Sequence, residues 1–184
     1  MTRPPDRGVQ VVDGLVERFR GIPFSYPEVG ATRQDRLPQG YRHLEARIDA
    51  GSGRQRFQDL AERVMTWQLH AQAGLALQVS GERVGQGSIE LATLSLGPAK
   101  ITTQCRVVYV IAENRRSGFA YGTLEGHPER GEERFTVELT DDERVIFSLR
   151  AFSRNAWLLA RLGSPVSNRV QAMINRRYLA AAGS

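Results

Sequence analysis

From Leu75 to Phe152 the hydrophobic period of the chain is two, and the breaks between apolar runs are short. The runs are LALQV, GSIELATLSL, ITTQCRVVYVIAE, GFAYGTL, EERFTVEL and RVIFSLRAF, separated by SGERVGQ, GPAK, NRRS, EGHPERG and TDDE. Alternation of this kind predicts half-buried strands, and separators rich in Gly, Pro, Asn and Asp predict turns. Turns this short force neighbouring strands to run antiparallel, because a parallel crossover takes about a dozen residues or more. The segment therefore reads as a meander.

The flanks have a different period. YRHLEARID, 41–49, alternates Leu44, Ala46 and Ile48 with polar neighbours and predicts one more strand. RQRFQDLAERVMTWQLHAQ then sets Phe57, Leu60, Ala61, Val64 and Gln68 in line, with Trp67 beside them, along one stripe of an amphipathic helix, with Ser52 as N-cap and Gly74 as stop. After the meander, NAWLLARL predicts a short helix over 155–162. A longer helix follows, with Ser164 as N-cap, Pro165 in its first turn, and Val166, Val170, Met173, Ile174 and Tyr178 on one side. At the other end, Val9, Val12, Leu15, Val16 and Phe19 fit a helix over 9–20, weakened by Gly14, and the Pro-rich stretch 21–40 predicts an ordered loop.

The expected architecture is α+β: a curved antiparallel sheet of about seven strands packed on a long C-terminal helix, preceded by an N-terminal arm over 1–41. One domain over 1–184 is expected, with 42–182 holding the strand, helix, meander and closing helix. This order of elements resembles the helix-grip fold of plant pathogenesis-related allergens and steroid-transfer domains. In that fold the sheet wraps the last helix and often leaves a cavity for an apolar ligand.

Residue parity then proposes an interior face. Val107, Tyr109, Ile111, Phe119, Tyr121, Phe135, Val137, Val145 and Phe147 are expected inside, together with Ile89, Leu91, Thr93, Cys105, Thr123 and Glu133. Arg106, Glu132, Arg134 and Arg150 are expected outside. Val108 and Val110 then need cover of their own, from the N-terminal arm or from a second copy of the chain.

Charge excludes little. The formal net charge is +5, yet the 25 basic residues are scattered, and all but Lys100 are arginine. No interleaved basic and aromatic motif points to nucleic acid. From Ala151 onward there are five arginines and no acid, a pattern open to an acidic partner or a membrane surface but commoner on the solvated edge of a core helix. The opening MTRPPDRG has no apolar run and Cys105 has no cysteine partner, so a cytoplasmic location is expected, with no transmembrane segment.

YGTLEGHPERGEERFTVEL, 121–139, is the stretch richest in chemistry. His127, Glu129, Glu132 and Glu133 make a poor zinc set, with one nitrogen donor, no thiolate, and two carboxylates sent to opposite faces by alternation. No metal or cofactor is expected. Glu133 at the mouth of an apolar cavity would have its pKa raised, which suits an acid or base; His127 is the other candidate. The plainer reading is a wide hairpin loop in which His127 caps the turn and Glu133 pairs with an arginine. Cys105 reads as a small core residue and His43 and His70 as structural, His70 near a helix C-terminus where a cation is favoured. No GxSxG elbow or phosphate-binding glycine loop is present.

FSYPEVGAT at 24–32, LPQGY at 37–41, the helix ending at Trp67, RVVYVIAE at 106–113, GFAYGTLEGHPERGEERF at 118–135 and AFSR at 151–154 carry a further likeness. They resemble the uncharacterised bacterial and plant family called domain of unknown function nineteen-ninety. Two departures, the Ala50–Gly51–Ser52–Gly53 turn and Asn155 in place of a proline, touch turns alone. The resemblance implies a shared fold without an activity, and it directs attention to Tyr26, Tyr121, His127, Glu129, Glu132, Glu133 and Arg154. The expected function is binding of a small apolar or amphipathic ligand between sheet and C-terminal helix, with Tyr109, Tyr121, Glu133, Tyr26 and Arg154 as contacts. An enzyme using Glu133 or His127, and an adaptor using the basic helix, are the alternatives. Oligomeric state is left open.

Overall fold

The computed structural model describes residues 8–156 and 164–184. Eight strands form one curved sheet in the order β1-β3-β4-β5-β6-β7-β8-β2. They are β1 Val9–Val11, β2 Arg42–Ser52, β3 Ala76–Val79, β4 Ile89–Leu96, β5 Ala99–Ala112, β6 Arg116–Thr123, β7 Glu129–Leu139 and β8 Arg144–Asn155. The helices are α1 Leu15–Phe19, α2 Arg54–Met65, α3 Gln68–Gln72 and α4 Ser164–Gly183. The meander from β3 to β8 is antiparallel throughout, and β2 joins it by pairing antiparallel to β8.

The helix expected over 9–20 is instead a strand and a helical turn. Gly14 adopts φ 77, which ends the run after β1 and caps α1, and β1 adds parallel to β3 at the sheet edge. The single helix expected after β2 is likewise two. Trp67 takes φ 65, an uncommon conformation for a non-glycine residue, between α2 and α3. Its fully buried indole fixes the bend by donating Nε1–H to Gly81 O at 3.1 Å. Ser52 closes β2 and Gly53 takes the cap position instead. The helix expected over 155–162 falls mainly outside the described residues, while Asn155 is the last residue of β8.

Both faces of the sheet are covered. The inner face packs Val107, Phe119, Phe135, Val137, Val145, Phe147 and Leu149 against Phe57, Leu60 and Val64 of α2, Leu69 of α3, and Tyr178 and Ala182 of α4. The outer face carries the N-terminal arm: Leu15 packs with Ile89, Leu91 and Leu124, and Tyr26 and Ala31 pack with Phe152. Arg106 clamps the arm by donating to Phe19 O and lying over the Phe24 ring. The arm thus supplies an outer layer over Ile89 and Leu91 of β4 and Phe152 of β8.

Two parity assignments fail for identifiable reasons. A bulge between Val107 and Tyr109 shifts the β5 register, so that Val107 and Val110 pack inward while Tyr109 turns outward. On β4, Ile89 and Leu91 face the arm, and Glu90, Ala92 and Leu94 face inward. Both faces of that strand carry apolar residues, so alternation had no polar side to mark as solvent.

Candidate functional site

Adjacent residues Glu132 and Glu133 on β7 point to opposite faces of the sheet. Glu132, 2% exposed, lies under the arm and accepts hydrogen bonds from Tyr26 OH at 2.7 Å, Gly30 N at 2.6 Å, Thr32 N at 3.0 Å and the Thr32 hydroxyl. Gly122, its neighbour on β6, is what lets Tyr26 reach it, because a Cβ there would meet the Tyr26 hydroxyl at 2.1 Å. Around this clasp, Thr32 Oγ1 and Tyr109 OH are 2.8 Å apart, Arg33 stacks over the Tyr109 ring at 3.9 Å, and Arg134 donates to Thr32 O at 2.9 Å. The FSYPEVGAT and GFAYGTL motifs are therefore two halves of one buried contact. Burial and the Glu132 carboxylate both push the Tyr26 hydroxyl far above its ordinary pKa, so it stays a donor.

Glu133 faces inward, into a hollow of about 400 Å³ between the sheet and α4. Leu75, Ala92, Leu94, Ile101, Val170 and Ile174 give it an apolar wall, and Glu90, Cys105, Tyr121, Thr123, His127, Glu133 and Tyr178 give it polar atoms. Tyr121 OH donates to Glu133 Oε2 at 3.2 Å, whereas Glu133 Oε1 is shielded from solvent and has no partner among the described residues. Glu90, only 3% exposed, is in the same condition, with its Oε1 unpaired. Burial raises the Glu90 carboxyl to about 8, and the charge of Glu133 adds to the effect. Burial raises Glu133 to about 7, opposed by the Tyr121 hydrogen bond and assisted by the charge of Glu129. Cys105, paired with Glu90 across the β4–β5 ladder, has its thiol pushed well above the ordinary range by burial and then by those acids. It is not a ready nucleophile.

His127 Nδ1 lies 2.9 Å from both the amide nitrogen and the carbonyl oxygen of Glu129, which closes the loop and commits that ring nitrogen to the backbone. Burial holds this histidine neutral, down to about 4. Glu129 is met by Arg42 at 3.2 Å on the rim, where Arg42 also donates to Gln171 at 2.7 Å. His70 differs from expectation. It is fully buried in a cage of Trp67, Phe119, Tyr121, Phe135 and Tyr178, and burial lowers it to about 3, so it brings no cation to a helix end. His43 donates from Nε2 to Pro38 O, 2.7 Å away.

Of the residues proposed from sequence, Glu133, His127 and Tyr121 meet at the hollow. Tyr109 and Tyr26 lie on the outer face in the Glu132 clasp, and Arg154 is exposed over the Tyr41 ring at 4.6 Å. Glu90 was missed. The expectation that Ile89 and Leu91 face inward hides it, and its pairing with Cys105 places it on the inner face instead. The arginines of the last helix that are described, Arg169, Arg176 and Arg177, are exposed. No group of three or more His, Cys, Asp or Glu among the described residues is placed to hold a metal ion. No described helix is long and apolar enough to cross a membrane.

A curved antiparallel sheet closed by a long C-terminal helix defines an α+β protein of the helix-grip class. The chain belongs to the family described as domain of unknown function DUF1990, whose profile matches residues 25–181. It is 31% identical to a UPF0548 protein of Deinococcus radiodurans, covering 97% of this chain and 94% of that one. Among solved structures it resembles a hypothetical protein of Helicobacter pylori, with TM-score 0.59 at 9% identity over 87% of this chain and 94% of that one. It also resembles major latex-like protein 151 of Panax ginseng, with TM-score 0.52 at 15% identity over 76% and 96%. At such identities the likeness is one of fold.

Proposed function

We propose that this protein binds a small apolar or amphipathic molecule in the hollow between the sheet and α4. One observation carries the reading: two buried carboxyl groups, Glu90 and Glu133, line a hollow with an extensive apolar wall, and each keeps an unpartnered oxygen. Buried polar atoms are satisfied in most proteins, and leaving one bare costs about 1–3 kcal/mol. Two together at one concavity fit a site whose partners come with the ligand. Tyr121 holds Glu133 in place, and Tyr178 offers a ring and a hydroxyl to the same volume. Burial of the lone thiol, Cys105, fits a cytoplasmic setting.

Native mass spectrometry of the protein as isolated from cells tests this. A stoichiometric small molecule released on denaturation is the expected result. Bare polypeptide that also fails to enhance the fluorescence of the apolar probe N-phenyl-1-naphthylamine would sink the reading.

A second reading makes Glu133 a general acid or base on the bound molecule, and the observation favouring it is a carboxyl raised to about 7 beside a tyrosine. His127 suits the role less, with Nδ1 already committed to Glu129. If Glu133 is catalytic, Glu133→Gln stops turnover of the released molecule while its affinity is kept; parallel loss of both leaves binding alone.

A further inference from the structure

The charges around the hollow are distributed against the composition of the chain. The protein has 25 basic residues to 20 acidic, yet no lysine or arginine is among the described residues that line the hollow. Its titratable lining is Glu90 from β4, Cys105 from β5, Tyr121 from β6, His127 and Glu129 from the β6–β7 loop and the start of β7, Glu132 and Glu133 from β7, and Tyr178 from α4. Glu129 meets Arg42 at the rim, and Glu132 turns its carboxylate into the arm. The histidine is neutral, the thiol is protonated, and the phenols are held above their ordinary range by burial. That leaves Glu90 and Glu133 as the charges with which a ligand must come to terms, and both are acids.

We infer that the molecule taken into the hollow is a hydrophobic amine, its cationic nitrogen received by the bare Oε1 atoms of Glu90 and Glu133 and its apolar body lying along Leu75, Ala92, Leu94, Val170 and Ile174. This deepens the proposed ligand-binding function and rests on it. An ammonium supplies the donors that both oxygens lack and neutralises charge that the apolar surroundings otherwise suppress by protonation. Tyr121 and Tyr178 border the same volume, and aromatic faces attract a desolvated cation. An anionic ligand such as a fatty acid meets two carboxyls and no cation among the described residues that line the hollow, Arg42 at the rim being engaged by Glu129 and Gln171. A neutral hydroxyl satisfies one oxygen and leaves the charge unaddressed.

Isothermal titration with three probes of one chain length separates these cases: octylamine, 1-octanol and octanoate, each at pH 8.5 and pH 6.0. At pH 8.5 octylamine is expected to bind at least about tenfold tighter than octanol, with octanoate weakest. Its affinity should fall by at least about tenfold at pH 6.0, where both carboxyls hold protons and the cation must displace at least one of them, while octanol binds alike at both. Glu90→Gln with Glu133→Gln should cut the preference for amine over alcohol to about threefold or less. Octanol equal to octylamine, or octanoate tightest, overturns the amine assignment and leaves the ligand site standing. No binding of any of the three overturns both.

Discussion

Glu132 and Glu133 are neighbours in sequence, sit on the same strand and are both removed from bulk water, yet they live in opposite conditions. Glu132 has four donors, two from backbone and two from hydroxyls, all contributed by a segment about a hundred residues away in sequence. Glu133 has one, from the adjacent strand, and keeps an oxygen bare. A carboxylate with four donors is anchored and holds the arm to the outer face. A carboxylate with one donor beside an open volume is available. The difference teaches that a conspicuous acidic motif divides by face: one residue of the pair holds the arm, and the other is the one we propose as a ligand contact.

The largest effect should come from breaking the anchored side. Glu132→Ala strips Tyr26, Gly30 and Thr32 of their acceptor inside the outer layer, and a loss of about 3–5 kcal/mol is expected by urea unfolding. Protease sensitivity of the arm over residues 12–41 should rise with it. Glu133→Ala leaves only Tyr121 without a partner and should cost about 1 kcal/mol or less. Equal losses from the two variants would erase the proposed division between anchor and site.

That division was half legible before the fold was known. Alternation on a single strand was enough to send Glu132 and Glu133 to opposite faces, and to place Tyr121 with Glu133. What covered the outer face was harder to read, because the arm has almost no regular structure beyond α1 and the turn Ala31–Arg33, and its hold is a set of backbone amides converging on one carboxylate. The motifs FSYPEVGAT and GFAYGTL drew attention as candidate site residues, when Tyr26 and Gly122 meet there for packing. On β5, one extra residue at the bulge reversed the side of Tyr109, an error that no count of period two can detect. Glu90 became visible only through its register with Cys105, which carries it onto the inner face.

A smaller effect, opposite in sign to the first, is expected from Glu90. Its folded pKa, about 8, lies above the ordinary carboxylate value of 4.5, so between those limits the folded chain holds a proton that the unfolded chain has released. Stability from this group therefore falls as pH rises from about 4.5 to about 8 and is level on either side. Glu90→Gln cannot ionise. It should be more stable than the natural chain by about 1–3 kcal/mol at pH 8.5 and indistinguishable from it at pH 4, as read from thermal midpoints across that range. A variant less stable at pH 8.5 would mean that Glu90 has a partner supporting its charge, and the contrast with Glu132 would lose its footing.

The smallest effect compares one deletion on the two faces. Tyr26→Phe and Tyr121→Phe each remove a hydroxyl that donates to a glutamate, at 2.7 Å and 3.2 Å. The outer bond is short, buried and made to an anchored carboxylate, so Tyr26→Phe should cost about 1–2 kcal/mol. The inner bond is longer and serves a group that is partly protonated near neutrality, so Tyr121→Phe should cost less than about 1 kcal/mol. Its effect belongs on Glu133 instead. Tyr121 is what holds that carboxyl down to about 7 against burial, and without it the pKa should rise in a carbon-13 titration of labelled glutamate. A Glu133 titration unmoved by Tyr121→Phe would show that the tyrosine fixes geometry without tuning charge, leaving burial and the charge of Glu129 to account for the shift.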